Sequence, residues 1–273
     1  MDKLAALRSI LAGLPGAVVA FSGGVDSTLL AVLAHQTLGA RALAVTAVSA
    51  TYPGHQLLEA RGIAARYGLR HTIIHTDECD QPAFAANPPD RCYHCKRALF
   101  DALRQLAQAE GLGAVLDGAN LDDRGDHRPG HRAARELGVR SPLQEAGLTK
   151  DEIRRLSREL GLPTWDKPAY ACLASRIPYG RPITPEALAR IDAGESHLMG
   201  LGLREVRLRD HHPVARVEVG RDELETAWSL RREIAAGLHA LGYPYAALDL
   251  DGFRSGSMNA VLAPGELETG EGV

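Results

Sequence analysis

The chain has 273 residues, enough for one large domain or two modest ones. With 45% hydrophobic, 24% charged and only 5% aromatic residues it reads as a globular protein whose core rests on Ala, Leu, Val and Ile, which excludes a disordered chain. A formal charge of −3 argues against a surface coated for nucleic acid, the four cysteines are too few for a disulfide scaffold, and no apolar run approaches the roughly 20 residues of a membrane span. With no leader segment evident, these features predict a reduced, cytoplasmic protein.

Leu4 to Ala12 reads as a helix and Gly16 to Phe21 as a buried strand. Then come a helix from Ser27 to Leu38, a strand from Ala42 to Val48, a helix from Gln56 to Tyr67 and a strand from His71 to His75. A helix from Cys95 to Ala109, a strand from Ala114 to Asp117 and a helix from Lys150 to Leu160 continue the series. Strands alternating with helices predict an α/β fold, a parallel sheet covered on both faces, with ligands at the carboxyl ends of the strands. After Gly180 the pattern changes. Pro185 to Met199 is helical, Glu205 to Arg209 and Val214 to Val219 alternate like strands with one exposed face, and Asp222 to Leu241 reads as one long helix. Ala246 to Leu250 is a last strand and Pro264 to Val273 an acidic tail. The expected division is a first domain over 1–180 and a smaller α+β domain over 181–273.

The strongest local signal is Ala20-Phe-Ser-Gly-Gly-Val-Asp-Ser-Thr28, set between the first strand and the next helix. Gly23 and Gly24 permit a tight turn whose N–H groups face an anion, while Ser22 and Ser27 add hydroxyls. The Lys of a Walker loop is missing, and Asp26 inside a phosphate cradle implies an intervening Mg²⁺. A second polar segment begins at a strand end, Asp117-Gly-Ala-Asn-Leu-Asp-Asp-Arg-Gly-Asp-His-Arg-Pro-Gly130; there Asn120, Asp123 and Arg128 can place hydrogen bonds and charge near phosphates. The string SGGVDS resembles the PP-loop of the N-type ATP pyrophosphatases. That resemblance implies the Rossmann-like adenine nucleotide alpha hydrolase fold and ATP cleavage between the α and β phosphates, leaving an adenylate and pyrophosphate.

Arg91-Cys-Tyr-His-Cys-Lys96 puts two thiols at CxxC spacing just ahead of a predicted helix, a position that lowers thiol pKa values. The spacing alone leaves open a redox pair, half a zinc site or part of an iron–sulfur site. Cys172 lies in Lys167-Pro-Ala-Tyr-Ala-Cys-Leu-Ala-Ser-Arg-Ile-Pro-Tyr-Gly180 at the domain junction, and Cys79 follows the third strand without a motif, as an incidental thiol.

Taken together, SGGVDS, RCYHCK, DGANLDDRGDHRPG, KPAYACLASRIPYG, the run Arg207 to His212 and DGFRSGSMN at 251–259 resemble the LarE family of ATP-dependent sulfur transferases across both domains. The resemblance implies that carboxylates of pyridinium-3,5-biscarboxylic acid mononucleotide are adenylated and become thiocarboxylates, a step toward the nickel-pincer nucleotide. The family supplies sulfur in two ways: from the cysteine of the ACLASR string, spent in one turnover, or from a 4Fe–4S cluster on three cysteines. Cys92, Cys95 and Cys172 fit the second type, with Ser175 and Arg176 beside Cys172. Arg207 and Arg209, two apart on a strand, can grip the substrate phosphate, with Glu195 meeting them or orienting Ser175 and Arg176. A homo-oligomer acting on a small mononucleotide, without nucleic acid or membrane, is the accompanying expectation. A tRNA-thiolating relative and a non-catalytic nucleotide sensor with a Cys₄ zinc site are the competing readings.

Overall fold

The computed structural model describes residues 2–125, 129–168, 171–254 and 256–262. Helix α1 (Lys3–Ala12) is capped by the Asp2 carboxylate, which accepts the Leu4 N–H. Strand β1 (Ala17–Ala20) runs into α2 (Val25–Leu38), whose Leu29, Leu30, Leu33 and Ala34 are buried around its circumference. A helix apolar on all sides belongs at the centre of the molecule, and α2 packs there beneath the sheet.

Strand β2 (Ala42–Val48), helix α3 (Gly54–Arg66) and strand β3 (His71–His75) complete one flank. A short α4 (Pro82–Ala85) leads to α5 (Arg91–Ala109) and strand β4 (Ala114–Leu116). The sheet has the order β3-β2-β1-β4, every pair parallel. Chain order reverses at β1, which lies between β2 and β4, so the crevice at the carboxyl end of β1 is where such a sheet takes a ligand. Helices α6 (Pro129–Glu136), α7 (Pro142–Glu145) and α8 (Lys150–Glu159) follow; α8 opens on a capping box between Thr149 and Glu152.

The second half starts with α9 (Pro185–Gly200), capped by Thr184. Strands β5 (Val206–His211) and β6 (Val214–Val219) pair antiparallel, and β6 pairs parallel with β7 (Tyr245–Leu248). The long helix expected over 222–241 is two, α10 (Leu224–Ser229) and α11 (Arg231–Ala240), because Leu230 turns out of helical geometry at ψ 10°. Helix α9 lies so close to β5 that a Cβ on Gly194 would sit 2.2 Å from the Leu208 side chain. This contact delivers the next residue, Glu195, to β5.

Strands β5 and β6 also differ from their predicted half-exposed character. Val206, Leu208, Val217 and Val219 face an apolar core, and the opposite face is buried as well, with Arg207, Arg209 and Glu218 all under 5% exposed. Charged residues on that face are covered by partners from elsewhere in the chain, not by water. Among the described residues no helix is long and apolar enough to cross a membrane.

Candidate active site

The phosphate loop is closed on itself. The Ser22 N–H donates to Ser27 Oγ at 3.2 Å, and Ser27 Oγ donates to the Gly24 carbonyl at 3.3 Å. Gly23 has φ +69°, and a Cβ there would lie 3.1 Å from the Ala60 Cα of α3, so both backbone and space demand glycine. Gly24 caps α2 without a side chain, leaving the first N–H groups of that helix directed at the crevice. Two neighbours hold the loop from outside. Tyr52 donates its hydroxyl to the Ser22 carbonyl at 3.0 Å, and Lys167 donates to the Gly23 carbonyl at 3.0 Å while pairing with Glu59 at 2.5 Å. Burial, with Glu59 adding to it, pushes the Tyr52 phenol up to about 12, so it remains a donor.

Asp26 lies in the first turn of α2. Its carboxylate pairs with Lys150, the first residue of α8, and accepts the Asn120 amide at 3.4 Å. The sequence pointed to Asp26 and Asn120 but not to Lys150, which stands 124 residues from its partner. The one available signal was the capping box, which places Lys150 at a helix start on the ligand edge. Asp123 is turned inward: its Oδ2 accepts the Asn120 N–H at 2.9 Å and thereby shapes the loop after β4. Arg128 lies outside the described residues. A single carboxylate beside a phosphate loop suits Mg²⁺, which takes one or two carboxylates and completes its shell with phosphate and water.

The cysteine string is brought to Cys172 by stitching between two loops. Asn87, in the left-handed region at φ 56°, donates from its amide to the carbonyls of Ile177 (3.3 Å) and Pro178 (2.8 Å). Arg91 donates to Asn87 Oδ1 at 2.8 Å and lies 4.4 Å over the Tyr179 ring. The Gly180 and Ile183 N–H groups return to the carbonyls of Asn87 and Ala85. Cys92 and Cys95, one turn apart on α5, are thus docked against the segment that carries Cys172. The helix begins at Arg91, four residues earlier than expected, so both thiols are within it.

Cys95, Cys172 and also Cys79 pack on one apolar cluster that includes Phe84, Leu173, Ile177 and Leu188. Burial pushes the Cys95 thiol up to about 12, and Cys172 and Cys92 nearby raise it further, whereas Lys96 opposes. The expected lowering by the helix terminus is overcome because desolvation is the larger effect. Cys79 is pushed up to about 11 by burial, by Glu78 and Asp80, and by Cys172. Cys79, expected from the sequence to be an incidental thiol, thus lies within electrostatic reach of Cys172. Among the described residues no three Cys, His, Asp or Glu side chains already surround a single-ion site. Cys92, one turn before Cys95, is exposed and does not join that apolar cluster.

Arg176 holds the Cys172 loop. Its guanidinium, fully buried, donates two parallel hydrogen bonds to the Glu195 carboxylate (2.8 and 2.9 Å) and others to the Ala171 carbonyl (2.9 Å), the Cys172 carbonyl (3.3 Å) and Ser175 Oγ (2.9 Å). Ser175 Oγ donates to the Cys172 carbonyl at 2.8 Å, and Glu195 also accepts the Leu208 N–H at 2.9 Å. Arg209 reaches back across the junction to the Ser175 carbonyl at 3.0 Å and pairs with Glu218 at 2.6 Å. Arg207 lies 4.6 Å over the Phe253 ring and is lowered to about 10, by burial first and then by Arg176 and Arg209. Glu195 and Glu218 already offset Arg176 and Arg209, so the desolvated cluster keeps a small positive excess, which a further anion would balance. Trp165 and Trp228, read from the sequence as core or interface, are 38% and 61% exposed in the chain.

A family model described as NAD synthase matches residues 7–93, the segment that holds the phosphate loop. The chain is 43% identical over 266 residues to the uncharacterised protein slr1717 of Synechocystis sp., covering 96% of this chain and 98% of that protein. It is 37% identical over 268 residues to the pyridinium-3,5-bisthiocarboxylic acid mononucleotide synthase of Lactiplantibacillus plantarum, covering 98% and 97%. A tRNA-specific 2-thiouridylase MnmA of Sphingopyxis alaskensis is 29% identical over 292 aligned positions, covering 89% and 74%.

Proposed function

Because the chain belongs to the LarE family of PP-loop ATP-dependent sulfur transferases, the pyridinium-3,5-bisthiocarboxylic acid mononucleotide synthases, we propose how its residues divide that reaction. The enzyme activates carboxylates of pyridinium-3,5-biscarboxylic acid mononucleotide with ATP and converts them to thiocarboxylates. A substrate carboxylate oxygen attacks the α-phosphorus, the bond to the β-phosphate oxygen breaks, and pyrophosphate leaves. Sulfur then attacks the acyl carbon, and AMP departs with the acyl oxygen.

The N–H groups of Gly24 and the α2 start, with Ser22 and Ser27, receive the departing pyrophosphate. Asp26 holds Mg²⁺, which when bound neutralises charge on the phosphates. Lys150, paired with Asp26, is the cation nearest that carboxylate and would help to balance charge on the phosphates. Asn120 and Asp123 shape the wall of this pocket. Arg207 and Arg209 attract the phosphate of the mononucleotide, and Arg176, Glu195 and Ser175 keep the Cys172 backbone fixed beside the acyl carbon. Cys92, Cys95 and Cys172 hold a 4Fe–4S cluster that, when bound, supplies the sulfur atom.

The observation that supports the cluster reading best is the docking of the Cys92–Cys95 helix start on the Cys172 segment through Asn87 and Arg91. Mild negative charge suits a small anionic acceptor held at one local Arg cluster better than tRNA, and the enzyme acts in the reduced cytoplasm as a homo-oligomer. The test is anaerobic reconstitution with iron and sulfide, followed by turnover with ATP and the dicarboxylate. About four irons per chain, retained in Cys79→Ser and lost in Cys92→Ser, is the expected result. Protein that holds no iron yet converts Cys172 to dehydroalanine in a single turnover overturns the cluster and assigns the sulfur to Cys172 itself.

A further inference from the structure

We propose that Glu78 is a positioning residue whose buried carboxylate couples the phosphate loop to the Cys172 segment. The side chain is only 4% exposed at the carboxyl edge of the sheet, just after β3. Its Oε1 accepts the hydroxyls of Ser49 at 2.5 Å and Thr51 at 2.7 Å. Ser49 Oγ in turn accepts the Thr51 N–H at 3.1 Å, so the chain leaving β2 folds into a closed turn around the carboxylate.

Two arms extend from that turn. The Thr51 carbonyl accepts the N–H of Leu173, the residue next to Cys172, at 2.9 Å. Tyr52, next to Thr51, donates its hydroxyl to the Ser22 carbonyl of the phosphate loop at 3.0 Å. Glu78 thus stands beneath a hub with one arm on the ATP half-reaction and the other on the sulfur half-reaction. An apolar side chain would fill the same space without the desolvation penalty of a carboxylate. What only the carboxylate supplies is direction, through two charge-assisted hydrogen bonds converging on one oxygen. This inference rests on the two-step reading above, because coupling has meaning only where adenylation and sulfur transfer must share one geometry.

The test uses Glu78→Ala and Thr51→Val, which cut the tether at either end, and Glu78→Gln, which retains Oε1 as an acceptor. Pyrophosphate and thiocarboxylate are measured in the same sample of reconstituted enzyme. Glu78→Ala and Thr51→Val are expected to release pyrophosphate within about threefold of the unaltered enzyme but to form about tenfold less thiocarboxylate per pyrophosphate, whereas Glu78→Gln keeps the ratio within about twofold. Amide exchange over residues 172–177 is expected to quicken by about fivefold or more in the first two variants and not in the third. Both products falling together, as a loss of folded protein would cause, overturns the proposal. So does Glu78→Gln behaving like Glu78→Ala, or unchanged exchange in Glu78→Ala. Exchange requires no turnover, so an unaltered enzyme that forms no thiocarboxylate would sink the functional reading while exchange still decides Glu78.

Discussion

Replacing Glu195 with alanine removes one half of a pair in which Arg176 is 0% and Glu195 1% exposed. Three hydrogen bonds vanish together, two from the Arg176 guanidinium and one from the Leu208 N–H. The guanidinium stays buried without its carboxylate, next to Arg207, which already feels its charge. Breaking a buried pair from one side destabilises by about 3–5 kcal/mol. At roughly 2–4 °C per kcal/mol for a chain near this size, the melting temperature falls by about 6–20 °C. The double variant Arg176→Met, Glu195→Leu removes both charges and is expected to regain about half of the loss, since an apolar replacement of a buried pair is often neutral. It does not regain all, because the Ala171 carbonyl and the Leu208 N–H lose the partners that Arg176 and Glu195 supply. Urea unfolding of the unaltered protein, the single and the double variant decides the matter. A single variant costing under about 1 kcal/mol, or a double variant less stable than the single, refutes the assignment of a charge-driven penalty.

Gly23→Ala forces φ +69° on an L side chain and drives a Cβ to 3.1 Å from Ala60 Cα, so substrate-dependent pyrophosphate release is expected to fall by at least about 100-fold while far-ultraviolet circular dichroism is retained. Asp26→Asn removes the carboxylate that pairs with Lys150, and pyrophosphate release is expected to lose most of its response to Mg²⁺ in a titration from micromolar to millimolar. In cluster-free protein Cys95, pushed up to about 12, binds its proton more tightly folded than unfolded. Stability therefore declines as pH rises from the ordinary thiol value, about 8.5, toward about 12, which urea midpoints across the accessible part of that window measure.

The phosphate loop was legible because its information is local: SGGVDS sits where a buried strand meets a helix, and the structure folds Ser22, Gly24 and Ser27 into one closed turn. The parallel sheet was legible for a similar reason, since short apolar runs alternate with amphipathic ones. Lys150 and Glu78 were not. Their roles depend on Asp26, Ser49 and Thr51, which topology brings to the same edge of the sheet from distant parts of the chain. The helix start at Arg91 was hidden because Arg91-Cys-Tyr-His lacks an apolar period, and Asp90 makes no side-chain cap. Val206-Arg-Leu-Arg209 reads as a strand with one wet face only if charge is taken to mean water; here Phe253 lies against Arg207 and Glu218 pairs with Arg209 instead.

The same ion pairs explain why the second half bears on the chemistry at all. The apolar cluster beneath the thiols joins Phe84, Leu173 and Ile177 to Ile183, Leu188 and Ile191, crossing the boundary expected at 180. Above it, Arg176 binds Glu195 of α9, and Arg209 of β5 binds the Ser175 carbonyl. The loop that carries Cys172 is therefore held from one side by the turn around Glu78 and from the other by α9 and β5. The phosphate loop has contacts to Tyr52 and Lys167 but is built within the first half. A change in the β5 ion pairs is accordingly felt first at the sulfur step, and a change in the α2 start first at the ATP step. The two proposed half-reactions can then be perturbed separately, because the residues that position each come from different parts of the fold.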